Sequence, residues 1–330
     1  MQEIAIGKNE AGQRLDKFLG KYLNLAGKSF LYKMMRKKNI TLNGKKCEGA
    51  EKLAEGDLVK LFLSDETIEK FSDLKLQKVQ KKKLDILYED ENIILINKPS
   101  GMLSQKAKET DESLVEYLIA YLLDSGALTE EALKSFRPSV CNRLDRNTSG
   151  IVAAGKSLAG LQMLSEMFRD RSIHKYYQCI VLGKMQEDRT IDGWLLKDER
   201  TNKVRILTER EKTAYEKQES GEKPLRIQTR YEPLSTNGSL TRLRVTLLTG
   251  RSHQIRAHLA SIGHPIVGDT KYGGKVPGSL SDYGIHSQLL HSYRLEFPAL
   301  TGDFASLSGR VFEAELPAEF QRVVEGEKLT

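Results

Sequence analysis

The sequence predicts an α+β protein: a mixed, mainly antiparallel sheet with flanking helices, preceded by a small N-terminal α/β module. Three observations carry this. From Leu84 onward, short apolar runs bounded by turns outnumber helical repeats and do not alternate with them regularly, which argues against a doubly wound sheet. The positive charge is lopsided: residues 1–64 hold 13 Lys+Arg against 7 Asp+Glu, so +6 of the net +7 sits in the first fifth of the chain. Between the two regions, "DETIEKFSDLKLQKVQKKK" has little periodic apolar content and ends in a lysine run. The division read from this is a basic module at 1–64, a solvated linker at 65–83 and a larger domain at 84–330.

At 330 residues, 39% hydrophobic and 29% charged, the chain suits a folded enzyme rather than a disordered one. It has no apolar run of about 18 residues, so no membrane span is expected. "MQEIAIGKNE" does not read as a signal peptide. The three cysteines, Cys47, Cys141 and Cys179, are odd in number and far apart, which points to a reducing, cytoplasmic setting.

Each element follows from its pattern. "QRLDKFLGKYL" places Leu15, Phe18, Leu19, Tyr22 and Leu23 at helical spacing. "KSFLYKMMRKK" offers Ser29 as a cap, Leu31, Met34 and Met35 as an apolar face, and a basic last turn. "ITLNGKK" alternates into an Asn43-Gly44 hairpin turn, and "GDLVKLFL" closes the module as a strand. In the larger domain, "LDILYEDENIILINKPSGM" reads as a hairpin around "EDEN" that stops sharply at Lys98-Pro99-Ser100-Gly101. "DESLVEYLIAYLL" and "SLAGLQMLSEMFRD" are helices, and "IVAAG", "HKYYQCIVLG" and "LTRLRVTLLTG" are strands. "RSHQIRAHLASIG" is a short helix ending at Gly263.

Three stretches carry chemistry. "CNRLDRNTSG" crowds charges beside a buried strand, which is costly unless they pair or work. Arg143 lies two residues before Asp145 and is placed to pair with it, and a paired carboxylate suits a nucleophile better than an acid. Thr148 and Ser149 can fix the turn through backbone hydrogen bonds. On these ten residues alone, a structural Asp–Arg pair is the simpler reading. The second stretch, "LLTGRSHQIRAHLASIGHPIVGDTKYGG", holds Arg251, His253, Arg256, His258 and His264. His253 and His258 are five apart, not on one helical face, so a phosphate or a carboxylate such as Asp145 fits better than a metal. Lys271 and Tyr272 extend that surface. In the third, "HKYYQCIVLG", either Tyr176 or Tyr177 can stack on a planar base.

Over residues 12–64, "RLDKFL", the basic second helix, the "ITLNGK" hairpin and "EGDLVKL" resemble the S4 RNA-binding domain. That resemblance implies an RNA-facing surface made by Lys33, Arg36, Lys37, Lys38, Lys45 and Lys46. Over residues 84–316, the ordered motifs "NKPSGM", "NRLDRNTSG", "KYYQCIVLG", "LLTGRSHQIRAHLASIGHPIVGD" and "LHSYRLEF" resemble the RluA family of pseudouridine synthases, in the branch that modifies large-subunit ribosomal RNA. The resemblance implies the pseudouridine-synthase fold and the isomerisation of flipped-out uridines without cofactor or metal. Asp145 matches the catalytic aspartate, and Arg143 the arginine that fills the space the uridine leaves. Tyr176 matches the tyrosine that stacks on the uracil, and Arg256 the arginine that pairs with the aspartate. Arg251, His253 and Gln254 fall in the same motif and are read as RNA-binding. The family commonly has His before RLD; here Asn142 stands there, and a structural role is expected. The expected partner is ribosomal RNA and the expected state a monomer. A catalytically silent S4-type RNA-binding or ribosome-assembly factor is the alternative. A glycosidase-like hydrolase would want a second carboxylate, which the motifs lack.

Overall fold

The computed structural model describes residues 1–330 apart from 74–76, 78, 81, 199 and 218–221. The N-terminal region runs β1 (Gln2–Ala5), α1 (Leu15–Tyr22), α2 (Lys28–Arg36), β2 (Ile40–Leu42), β3 (Lys45–Lys46), β4 (Leu58–Leu61) and α3 (Asp65–Phe71). Its sheet has the order β1-β4-β2-β3 and is antiparallel throughout. Leu15, Phe18, Leu19 and Tyr22 on α1 and Leu31, Met34 and Met35 on α2 are buried against it, as their spacing predicts. Asn43 and Gly44 both adopt positive φ, 50° and 72°, the geometry a two-residue hairpin turn requires.

Three details differ from the sequence reading. The edge strand β1 had no clear pattern. Helix α2 starts on an extended Gly27 rather than a Ser29 cap. The expected linker also begins late: Asp65–Phe71 form α3, capped by Ser64, whose side chain accepts from Thr67 N. Ile68 is buried in the first core and the Phe71 ring packs 4.5 Å from that of Phe30. Two apolar residues in a short polar helix give too weak a period to be read beforehand. Of the remaining linker, 74–76, 78 and 81 lie outside the described residues.

The larger region runs β5 (Ile86–Glu89), β6 (Ile93–Lys98), α4 (Leu114–Asp124), α5 (Glu130–Ser135), β7 (Ser139–Val140), β8 (Ser149–Gly155), α6 (Leu158–Asp170), β9 (His174–Leu182), β10 (Arg189–Asp198), β11 (Lys203–Leu207), α7 (Glu209–Glu216), β12 (Leu225–Thr236), β13 (Leu240–Leu247), α8 (Gln254–Ser261), β14 (Leu290–Glu296), β15 (Val311–Glu313) and α9 (Ala318–Gly326). Among the described residues the sheet has eleven strands. Its main path is β11-β10-β12-β13-β9-β14-β8-β6-β5, with β7 on β8 and β15 on β14. Only the β8–β14 pairing is parallel, so the sheet is mixed and mainly antiparallel as expected.

The period of two explains why "IILI" and "IVAA" are wholly apolar. Ile94, Ile96, Val152 and Ala154 face one core with α4 and α8, while Ile93, Leu95, Ile151 and Ala153 face another with α6. Asp90 turns the β5–β6 hairpin by accepting from Asn92 N and Ile93 N, both at 2.7 Å. Helix α5, missed in the sequence, contributes contacts between the two regions. The Tyr22 hydroxyl donates to Glu131 Oε1 at 2.6 Å and Ser135 Oγ to Glu10 Oε1 at 2.6 Å.

The parallel junction demands glycine. Gly150 has φ of 112° and pairs with Ser292, and a Cβ there would stand 2.2 Å from Ser292 O. Gly150→Ala is therefore expected to destabilise the protein by more than about 2 kcal/mol, read as a lowered urea midpoint. An unchanged midpoint would contradict this packing.

Candidate active site

Asp145 sits in the loop before β8, and neighbouring groups hold that loop from several sides. Leu144 is buried in the core and its N–H donates to Ser104 Oγ at 3.0 Å, while that hydroxyl lies 3.0 Å from Leu144 O. Thr148 N donates to Asp145 O at 3.0 Å, closing the turn. Asn142 behaves as an extra piece of strand. Its Nδ2 donates to Ile151 O at 3.1 Å and its Oδ1 accepts from Ala153 N at 2.8 Å. A neutral amide matches both backbone groups, so the position is structural.

Beneath the loop lies Lys98, fully buried at the end of β6. Its Nζ donates to Pro99 O and Met102 O at 2.9 Å and to Arg146 O at 3.1 Å. Three carbonyls match the three protons of an ammonium, although burial pushes its pKa down to about 7, with the Asp145 charge opposing the shift. Lys98 thus ties the "KPSGM" turn to the residue after Asp145. The sequence reading has that turn as a sharp stop to the hairpin and misses the lysine, because a lysine ending an apolar strand is rarely buried.

The opposite wall is α8. Arg256 donates from Nη1 to Asp145 Oδ2 at 2.8 Å, and from Nε and Nη2 to Asp269 at 2.7 and 2.8 Å. Burial opposes the charge on Arg256, but the Asp269 bonds and the Asp145 charge outweigh it and hold its pKa above the ordinary value. The guanidinium also lies 5.2 Å from the Tyr272 ring centroid. His253, the residue before α8, has φ of 55°, and its Nε2 stands 3.9 Å from Asp145 Oδ1. Among the described residues no cluster suited to a metal ion is found.

Several sequence-based assignments are corrected. Arg143 is exposed, and the ion pair expected of it is made by Arg256 instead. Gln254 is not available to RNA. It is 2% exposed; its Oε1 accepts from Thr249 Oγ1 and Arg251 N, and its Nε2 donates to Gln228 O and Thr229 Oγ1. The hydroxyls of Thr148 and Ser149 meet side chains rather than backbone: Gln288 Nε2 reaches Thr148 Oγ1 at 3.2 Å, and Ser149 Oγ meets His291 Nδ1 at 2.8 Å. Tyr176 is on the wrong face of β9. Its hydroxyl donates to Glu296 Oε2 at 2.9 Å and Arg294 lies over its ring. Tyr177 points the other way, into the core shared with Leu144 and Ile255. Burial and then the charge of Asp145 raise its pKa, opposed by Ser292, to about 12. The alternation was legible: Tyr177, Cys179 and Val181 share one face, opposite the polar Gln178.

Asp145, Arg256, His253 and Tyr177 are thus brought together with Tyr272, which the sequence reading placed beside the second motif, and the structure adds Lys98 and Asp269. Arg251 is exposed beside the site. Lys33, Arg36, Lys37, Lys38, Lys45 and Lys46 are all exposed on the N-terminal module.

Two buried histidines set a pH limit. Burial pushes His291 and His258 down to about 4. Both are charged below about 6.5 in the unfolded chain, so the unfolded state binds more protons between about 6.5 and 4. Stability present above that window is lost as pH falls through it, by up to about 3 kcal/mol for each histidine. Their C2-proton NMR signals should stay at the neutral position to about pH 5 while the unfolding free energy falls; titration at an ordinary histidine pKa would contradict the burial.

Comparison with known proteins identifies the family. The family model described as RNA pseudouridylate synthase matches residues 92–261. The ribosomal large subunit pseudouridine synthase C of Vibrio vulnificus (strain CMCP6) is 30% identical over 307 residues, covering 90% of this chain and 88% of the relative. That of Salmonella typhi is 32% identical over 330 residues, covering 98% and 95%. The solved structure of human RNA pseudouridylate synthase domain containing 4 is similar with a TM-score of 0.57 at 20% identity, covering 74% of this chain and 92% of that one, a likeness of fold.

Proposed function

The chain belongs to the RluA family of RNA pseudouridine synthases, and from that premise we propose that it isomerises uridines of large-subunit ribosomal RNA with Asp145 as the catalytic carboxylate. The enzyme is an RNA pseudouridine synthase. Its reaction breaks the N1–C1′ bond, turns the base and forms a C5–C1′ bond, with no net redox change. The observation that carries the role of Asp145 is its asymmetry: Arg256 takes Oδ2 at 2.8 Å, which leaves Oδ1 for the nucleotide. Oδ1 then serves either as a nucleophile at C1′ or C6 or as a base at C2′. The target must leave its stack, which costs a few kcal/mol that cationic and backbone contacts offset. Arg143, exposed on the same loop, is assigned the space the uridine vacates. Tyr177 takes the place of Tyr176 beside the uracil.

The N-terminal module is read as an S4-type RNA-binding domain, supported by its exposed basic residues on α2 and the β2–β3 hairpin. The large-subunit substrate is supported by the relatives, which are ribosomal large subunit pseudouridine synthases by name. A monomer is supported by both walls of the site coming from one chain. A cytoplasmic location is supported by three free cysteines; among the described residues no helix is long and apolar enough to cross a membrane.

Asp145→Asn is expected to abolish tritium release from C5-labelled uridine in large-subunit ribosomal RNA, by more than about 1000-fold, while RNA affinity is kept. Substantial release by this variant would remove Asp145 from the chemistry, and binding without pseudouridine from the wild type would favour a silent assembly factor. The two tyrosines separate in the same assay: Tyr177→Phe lowers turnover by on the order of 100-fold, whereas Tyr176→Phe changes it by less than about twofold. The reverse order would reinstate Tyr176.

A further inference from the structure

The oxygen of Asp145 that Arg256 leaves free faces an imidazole. His253 Nε2 stands 3.9 Å from Asp145 Oδ1. The other ring nitrogen, Nδ1, lies 2.8 Å from the Tyr272 hydroxyl. That hydroxyl is already engaged on its oxygen, where it accepts the Val204 N–H at 3.0 Å. A phenol has a single proton to give. Among the described residues the one acceptor found within reach of that proton is His253 Nδ1, which leaves the proton of the neutral imidazole on Nε2, the nitrogen nearest Asp145.

The surroundings reinforce this. Val204 lies on β11, at the edge of the sheet, and its amide is turned to the tyrosine. The His253 and Tyr272 rings meet edge to face at 76° with centroids 5.8 Å apart. A φ of 55° is uncommon for a residue other than glycine, and here it sets where the ring enters the site. The charged groups acting on the ring are Asp145, Arg256, Lys271 and Asp269. Burial is the largest influence and disfavours the cation; the two carboxylates oppose it and the two cations support it. At 3.9 Å no hydrogen bond yet restrains Oδ1, so the oxygen stays reactive with a proton donor at hand.

We propose that Val204 N–H, Tyr272 O–H and His253 form a tautomer lock, which makes His253 and Tyr272 positioning residues that present an Nε2–H to the reactive oxygen of Asp145. In the opposite tautomer the Nε2 lone pair would face the carboxylate and turn it away. His253, first read as an RNA contact, acts inside the site. The proposal rests on the reading of Asp145 as the catalytic carboxylate.

The test has one arm that needs no activity. Long-range proton–nitrogen NMR of the full-length protein, above neutral pH, should show His253 with Nε2 protonated and Nδ1 bare, and Tyr272→Phe should mix the two tautomers. In the second arm, Tyr272→Phe lowers kcat by on the order of 10- to 100-fold with KM for RNA little changed and thermal unfolding preserved. A wild-type Nδ1–H tautomer overturns the proposal, and so does a Tyr272→Phe enzyme with wild-type kcat. If that variant fails to fold, the wild-type tautomer decides alone. Activity in Asp145→Asn would defeat the isomerase reading while leaving the tautomer assignment to stand or fall separately.

Discussion

One guanidinium held between two carboxylates is the constraint on which the site depends. Arg256 is buried, and an unpaired buried charge costs several kcal/mol. Asp269, buried behind it, meets the cost with two bonds and fixes the plane of the guanidinium. The remaining Nη1 then points in one direction only, and Asp145 is found there. Asp269 is itself placed by a tight turn: Gly268 has φ of 82°, and a Cβ on it would stand 2.1 Å from Ser287 O. The geometry of the Asp145 carboxylate is therefore set by backbone on the far side of the arginine.

Much of this was legible because the chemistry lies in short, ordered motifs. Asp145 and Arg256 were readable from "RLD" and "HQIR", and the mixed sheet from its short apolar runs. What failed was direction. Adjacent residues on a strand face opposite ways, so naming Tyr176 rather than Tyr177 missed by a whole sheet thickness. Gln254 looked RNA-facing because its neighbours are charged, yet Gln228 O and Thr229 Oγ1 lie across from it and bind its amide, 26 and 25 residues away in sequence. Lys98 reaches Arg146, Asp269 reaches Arg256 and Tyr272 reaches Val204 across 48, 13 and 68 residues, which no local pattern encodes.

The same limit applies to the boundary between the two regions. The contact through α5 joins residues 109 and 125 positions apart, at Tyr22–Glu131 and Glu10–Ser135. Asn142 shows the converse case. Its environment is the neighbouring strand, close in sequence, and its structural role was foreseen because an amide copies the donors and acceptors of a backbone.

The position of β14 has a kinetic consequence. This late strand lies in the middle of the sheet, between β9 and β8, and it alone joins the β5-β6-β8 half to the half that carries β9 through β13. Asp145 leads into the first half; Arg256, His253 and Tyr177 travel with the second. Ser149 and His291, which meet at that seam, are 142 residues apart. Contacts of such separation form late and slowly. During synthesis, then, neither half holds a complete site. A polypeptide that ends before β14 therefore carries Asp145, Tyr177, His253 and Arg256 without the strand that joins the two halves of the sheet.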